Sequence, residues 1–348
     1  MHFIHILILS LGVGLNFINS YYIPNNSLII ANKRINPLII TNKRNNPINN
    51  QLIMKLDSKP YNKIKEFKKL IRFNNFFPTL LLNVGSGYIT SISVNKLLLN
   101  KPFITTCITS QLIMYSSMII NDLFDIKIDK INEPSRPLFN QIIKIYEAII
   151  VTILFYFISI ILNNTRVYGI SRHIGNMSII LSILYTPIFK KITFVKNLVC
   201  AFIVSNTILY SGLVFVFNSQ YNYNLLYKFT KLIFTSSLYI EILKDIQDYD
   251  GDKLNNISTL PVIFGKEKSL NIIFCLISTV ILDLVVKILI YKEPIYDLLL
   301  AIPIVPMSIN LLNVKKNNYS SNSIDNALKK TTNSLVVLLI IIFGYRKI

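Results

Sequence analysis

Residues 121–138 read NDLFDIKIDKINEPSRPL and follow directly on the apolar run FITTCITSQLIMYSSMII of 103–120. Asp122, Asp125 and Asp129 are spaced i, i+3, i+7, which puts three carboxylates on one face of a helix. Glu133 would extend that stripe, and Pro134 is expected to end the helix. Like charges stacked on one face repel. Each acid at the centre of a bilayer costs roughly 2.5–3.5 kcal/mol on the lenient insertion scale. A chain that places such a stripe at the mouth of an apolar run must offset it with something cationic, in a wet, protein-walled setting near the membrane interface.

The rest of the chain makes the membrane setting the natural one. Of 348 residues, 52% are hydrophobic and only 15% charged, with a mean hydropathy of +0.50; a soluble protein of this length carries about 25% charged residues. Apolar runs of near-spanning length recur from Phe73 onward. The expectation is an all-α, polytopic membrane protein with nine transmembrane helices. Their positions are near 75–95, 102–121, 141–163, 174–188, 194–217, 224–243, 269–290, 295–313 and 332–345. The fourth is short, interrupted by Gly175 and closed by Pro187. Lys and Arg test this parse independently: connections on one side carry 21 of them and those on the other side ten, an alternation a wrong span count would scramble.

The formal charge of +19 does not point to nucleic acid, because the basic residues are scattered through short connections and form no stripe on a soluble domain. Cys107, Cys200 and Cys275 are odd in number and lack metal-ligand spacing; they read as buried free thiols. At the amino end, MHFIHILILSLGVGLNFINS (1–20) reads as a signal sequence. Residues 21–60 are basic and Asn-rich, with the short repeat LIIANKRINP, LIITNKRNNP. They read as a leader or as a disordered linker, ahead of a membrane domain over 62–348. Such a two-part leader implies the secretory route and onward passage to a plastid with extra membranes; the endoplasmic reticulum and the mitochondrial inner membrane are the alternatives.

A second acidic stretch, EILKDIQDYDGDK (241–253), falls on the same, more positive side. Glu241, Asp245, Asp248 and Asp252 run i, i+4, i+7, i+11 on one helical face; Asp250 lies off it, and Gly251 suggests that the helix ends there. Nine of the 17 acids thus occupy two short stretches. The other acids, among them Asp57, Glu66, Glu147, Glu267, Asp283, Glu293, Asp297 and Asp325, are scattered and read as solvated or ion-paired. His2, His5 and His173 are isolated. Oxygen-only ligands select a hard cation such as Mg²⁺ or Ca²⁺. Mg²⁺ usually keeps one or two carboxylates and gives its other positions to water and substrate phosphates. Arg136, Lys244, Lys253, Lys190 and Lys191 accompany the acids and suit phosphate. Two carboxylate faces meeting across a cavity would form a diphosphate clamp. The rival reading is an ion or substrate transporter with an acidic path.

With these motifs in place, NDLFDIKIDKINEPSRP resembles the first aspartate motif of the UbiA superfamily of membrane prenyltransferases. KDIQDYDGDKLNNISTLPVIFG (244–265) resembles its second motif, YTPIFKKITFVKN (185–197) its basic loop, and LIRFNNFFPTLL (70–81), more weakly, its pre-span segment. The resemblance covers about residues 62–345. It implies nine helices around a central cavity and Mg²⁺-dependent transfer of a prenyl group from a polyprenyl diphosphate to a small acceptor within membrane lipid. Asn121, Asp122, Asp125, Asp129, Asp245, Asp248 and Asp252 would hold two Mg²⁺ ions and the diphosphate, with Asp125, Asp245 and Asp248 central to catalysis. Arg136, Lys190, Lys191, Lys244, Lys253 and Tyr185 would line the diphosphate. The acceptor stays open between homogentisate, chlorophyllide and a prenylglycerol phosphate. Asn121-Asp122, where homogentisate enzymes usually carry Asn-Gln, argues against that branch, and KLNNIS departs from the glycine many relatives carry before TLP.

Overall fold

A computed structural model describes residues 63–91, 94–132, 136–215, 220–254, 257–291 and 295–345. The expected signal sequence and leader, residues 1–60, lie outside the described residues. Thirteen α-helices follow in order: α1 Lys63–Leu70, α2 Phe76–Thr90, α3 Val94–Leu99, α4 Lys101–Asn132, α5 Ile145–Arg166, α6 Gly169–Tyr185, α7 Val195–Gly212, α8 Gln220–Gln247, α9 Tyr249–Leu254, α10 Leu260–Phe264, α11 Lys266–Tyr291, α12 Ile304–Lys316 and α13 Ser321–Tyr345. There is no strand among the described residues.

Each expected span has a helical counterpart, and five are long and apolar enough to cross a bilayer: Lys101–Ile126, Ile145–Arg166, Val195–Phe215, Lys266–Ile290 and Leu298–Lys316. The remaining four counterparts are shorter or more polar. α2 has 15 residues and α6 has 17, whereas α8 and α13 carry charged turns within otherwise apolar sequence. The eighth segment is broken, a 3₁₀ stretch over Ile295–Ala301 giving way to α12 behind Pro303.

The core gathers around α8. Leu225, Leu226, Phe229, Leu232, Ile233, Leu238, Tyr239, Ile242, Leu243 and Ile246 are all buried, so α8 buries a broad apolar face along most of its length. It packs on α2, α7, α11 and α13, while α2 and α7 also pack on α4. Gly175 does not interrupt α6, which runs through it. A Cβ there would sit 2.5 Å from Asn163 Oδ1 and 2.6 Å from Tyr210 Cε2, so the glycine lets α5, α6 and α7 close on one another. Asn163, Asn176 and Tyr210 hydrogen-bond across that crossing. Nearer the middle of the bundle, Asn83 of α2 accepts from Ser110 of α4 and Ser211 of α7.

The three cysteines are free, but Cys275 is exposed on α11 and so departs from the expected burial. The scattered acids take local partners: Glu66 with Lys69, Glu147 with Lys63, Glu267 with Lys315, Asp283 with Lys231 and Lys287, and Asp325 with Gln247.

Candidate active site

Both acidic stretches lie at the same end of the bundle, and the segments between them are tied to that end by side chains. Lys190, in the 3₁₀ turn Phe189–Lys191 between α6 and α7, donates to Asn121 Oδ1 at 2.9 Å and to Asp125. Lys196, in the first turn of α7, donates to Asp245 Oδ1 at 2.7 Å. Thr193 of the same connection donates to the Ser258 carbonyl at 2.6 Å, joining the basic loop to the chain behind the second motif. Tyr185, the last residue of α6, stands at the start of this same connection. The two stripes therefore share one site.

The acids within it are in different situations. Asp122 is 1% exposed. It accepts from Arg72 at 3.1 Å and from Arg136 at 3.2 and 3.3 Å, so two guanidinium groups hold it. Asp125, less buried, carries Lys190. The side chain of Asp129 and all of Glu133 and Pro134 lie outside what is described, and α4 reaches Asn132. Asp245 is 6% exposed, and Asn197 Nδ2 donates to its second oxygen at 2.9 Å. Asp248 is exposed, whereas Asp252 is half-buried. Burial lifts the Asp252 carboxyl above the usual carboxylate range, opposed by the nearby Lys196 ammonium.

Gly251 does not end the second helix. The Asp248 and Asp252 amides donate to the Lys244 and Asp248 carbonyls, both at 2.9 Å, so the ladder continues from α8 into α9 as far as Leu254. Asp250 points away from the stripe, as its position requires, and pairs at 3.8 Å with Lys266. Among the basic residues, Arg136 is committed to Asp122 and Lys244 to Glu241 at 2.9 Å. Lys191 is exposed, and Lys253 lies 5.7 Å from the centre of the Tyr249 ring.

Three residues that the sequence did not single out belong to the site. Arg72 sits at the break between α1 and α2 with φ 48° and ψ 55°, a left-handed backbone that costs a non-glycine residue roughly 1–2 kcal/mol. That turn sends its guanidinium to Asp122, and its buried Nε has no hydrogen-bond partner. Lys196 and Asn197 follow Phe194, whose φ of 65° restarts the helix as α7. The only prior signal for the three was their place in the pre-span and basic-loop segments.

The donor set suits a hard divalent cation. Carboxylates of Asp125, Asp245 and Asp252 and amides of Asn121 and Asn197 offer oxygen only, and Asn197 Oδ1 is buried without a donor beside Asp245. Among the described residues no three acid, histidine or cysteine side chains converge on one point.

A helical bundle with acid-bearing helix ends tied to basic turns at one end, and five helices long and apolar enough to cross a bilayer, defines a helical membrane protein. The chain belongs to the UbiA prenyltransferase family, whose family model matches residues 84–326; this sets the transporter reading aside. It is 30% identical over 247 residues to the digeranylgeranylglyceryl phosphate synthase of Saccharolobus solfataricus, covering 71% of this chain and 85% of that one. It is 34% identical over 168 residues to the enzyme of the same name from Methanosphaera stadtmanae, covering 46% of this chain and 58% of that one. The fold matches a solved digeranylgeranylglyceryl phosphate synthase with a TM-score of 0.62 at 22% identity, over 81% of this chain and 98% of that one. It also matches a UbiA homologue from Archaeoglobus fulgidus, solved with geranyl diphosphate (GPP) and Mg²⁺, with a TM-score of 0.61 at 18% identity, over 80% of this chain and 99% of that one.

Proposed function

We propose that this protein is an integral-membrane prenyltransferase that moves a polyprenyl group from its diphosphate to a prenylglycerol phosphate, releasing diphosphate. The observation that carries the reading is that Asp125 and Asp245, one from each stripe, are bonded by Lys190 and Lys196 of the single segment that joins α6 to α7 and forms the first turn of α7. Asn121, Asp125, Asp245 and Asp252 would hold Mg²⁺, with Asp129 and Asp248 as further members of the two stripes. Bound there, Mg²⁺ would neutralise charge that develops on the departing diphosphate oxygens. Lys190 and Lys191 would meet the same oxygens, since positioned cations are worth most where charge appears in the transition state. The allylic C1–O bond breaks, and its electron pair goes to the diphosphate. The acceptor hydroxyl oxygen attacks C1, and the hydroxyl proton leaves with the diphosphate. Tyr185 would present its ring toward the allylic carbon, where a π-face favours positive charge.

The arginine pair supports a phosphorylated acceptor. Arg72 and Arg136 both bond Asp122, and Arg72 Nε still has hydrogen-bonding capacity. Such a pair fits a phosphate group bidentately and gives less reason to choose homogentisate or chlorophyllide. The relatives' names point to the same glycerol phosphate chemistry, and their archaeal sources lend no support to a plastid address or to a secretory leader. The test is the purified protein in nanodiscs with Mg²⁺, labelled geranylgeranyl diphosphate and four acceptors: geranylgeranylglyceryl phosphate, homogentisate, chlorophyllide and 4-hydroxybenzoate. Prenylated glycerol phosphate is expected. Product from one of the other three instead would overturn the acceptor assignment, and no diphosphate release with any of them would overturn the enzyme reading.

A further inference from the structure

Lys196 occupies a place that the clamp reading leaves without a role. Its ammonium is 2.7 Å from Asp245 Oδ1, and it lies within electrostatic reach of Asp252. It is thus central to the second carboxylate group, as Lys190 is to the first. The two oxygens of Asp245 are held differently. Oδ2 takes a hydrogen bond from Asn197, a neutral amide 1% exposed and fixed in the first turn of α7. Oδ1 takes its bond from the end of a flexible four-carbon stem. One oxygen is anchored and the other is exchangeable. Asp125 also carries an ammonium: Lys190 donates to one of its oxygens and to Asn121, and that lysine's side chain is 33% exposed. Asp122 differs from both, because two planar guanidinium groups bind it.

An ammonium and a divalent ion compete for one carboxylate oxygen, because both bring positive charge to it. Metal arriving alone crowds a third positive charge or more among the same few carboxylates. Metal arriving with diphosphate brings the anion with it, and the lysine moves from carboxylate oxygen to phosphate oxygen with its charge still paired. We propose that Lys196 is a further phosphate-binding ammonium beside Lys190 and Lys191, and that Lys190 and Lys196 are exchangeable counter-ions which make the site accept divalent metal together with diphosphate rather than metal alone. Asn197 is the positioning residue that keeps Asp245 aimed while its lysine moves. This rests on the metal-clamp reading given under Proposed function.

The test uses Mn²⁺ as the metal and a non-reactive geranyl thiolodiphosphate as the anion, with the full chain in nanodiscs, followed by Mn²⁺ electron paramagnetic resonance and calorimetry. In the wild type, Mn²⁺ alone is expected to bind weakly and to tighten strongly when the analogue is present. In Lys196→Met, Mn²⁺ alone should bind about tenfold tighter and the Mn²⁺–analogue complex about tenfold weaker, the scale of one charge-assisted hydrogen bond. Lys196→Arg should restore analogue binding. Lys190→Met should show the same opposed shifts, which keeps the inference testable if Lys196→Met does not fold. Overturning results are Mn²⁺ affinity unchanged in both methionine variants, or analogue affinity unchanged in both. If the wild type shows no Mn²⁺-dependent analogue binding at all, the clamp reading itself fails, and the inference falls with it.

Discussion

Replacing Asp122 with Asn separates two kinds of acid that look alike in the sequence. Asp122 is 1% exposed and is bonded at 3.1–3.3 Å by Arg72 and Arg136, whose side chains are 34% and 19% exposed. The amide is nearly isosteric, but it loses the charge and leaves two guanidinium groups facing each other. Breaking a buried pair by removing one partner costs about 3–5 kcal/mol. Arg72 is a third exposed and partly screened, which lowers the expected loss to about 2–3 kcal/mol. Asp125→Asn is the control, because Lys190 is also a third exposed and can turn to water, for a cost of about 0–1 kcal/mol. The measurement is thermal melting in nanodiscs by far-UV circular dichroism, since the chain has no tryptophan to report on. Asp122→Asn should melt well below wild type and Asp125→Asn close to it. The Arg72→Met, Asp122→Leu double variant should lose less than the two single changes together. Equal melting of Asp122→Asn and wild type, or equal damage from Asp122→Asn and Asp125→Asn, would refute the assignment of Asp122 as the anchor of the arginine pair.

Further outcomes follow from other parts of the molecule. Asp125→Ala and Asp245→Ala should each lower prenyl transfer by about a thousandfold or more, measured as labelled product, while the protein remains inserted in the membrane fraction; wild-type transfer in either would remove the clamp. Gly175→Ala should cost about 1–3 kcal/mol by overpacking, because its Cβ would lie 2.5 Å from Asn163 Oδ1. Gly251→Ala meets nothing within 4 Å and should be neutral or stabilise by about 0.4–1 kcal/mol; a melting curve for each decides the pair. Asn197→Leu should cost about 1–2 kcal/mol through the bond lost at Asp245 Oδ2 and raise the Mg²⁺ concentration needed for half-maximal transfer.

The membrane-embedded helices and the two acid stripes were legible because both are periodic signals carried by residue type alone. Asp122, Asp125 and Asp245 stand where helical spacing put them. What spacing could not tell is which acid is anchored and which is exchangeable, because that depends on partners supplied by distant segments: Arg72, 50 residues away, for Asp122, and Lys196, 49 residues away, for Asp245. Arg72 and Lys196 both reach the site through left-handed residues, Arg72 itself and Phe194, and neither is a residue type that advertises such a turn. Gly251 and Gly175 were misread for the opposite reason. Glycine suggests a break, yet one glycine lies inside a continuing ladder and the other is a contact point between helices.

The Asn83 amide has a bearing on how the chain assembles. Its one carbonyl oxygen serves Ser110, 27 residues later, and Ser211, 128 residues later. During synthesis the first hydroxyl reaches the bilayer long before the second exists. The early hairpin thus carries an acceptor only half satisfied until α7 is delivered, and a ribosome stalled before that helix should leave a nascent chain that is inserted but loosely locked and open to quality-control proteases.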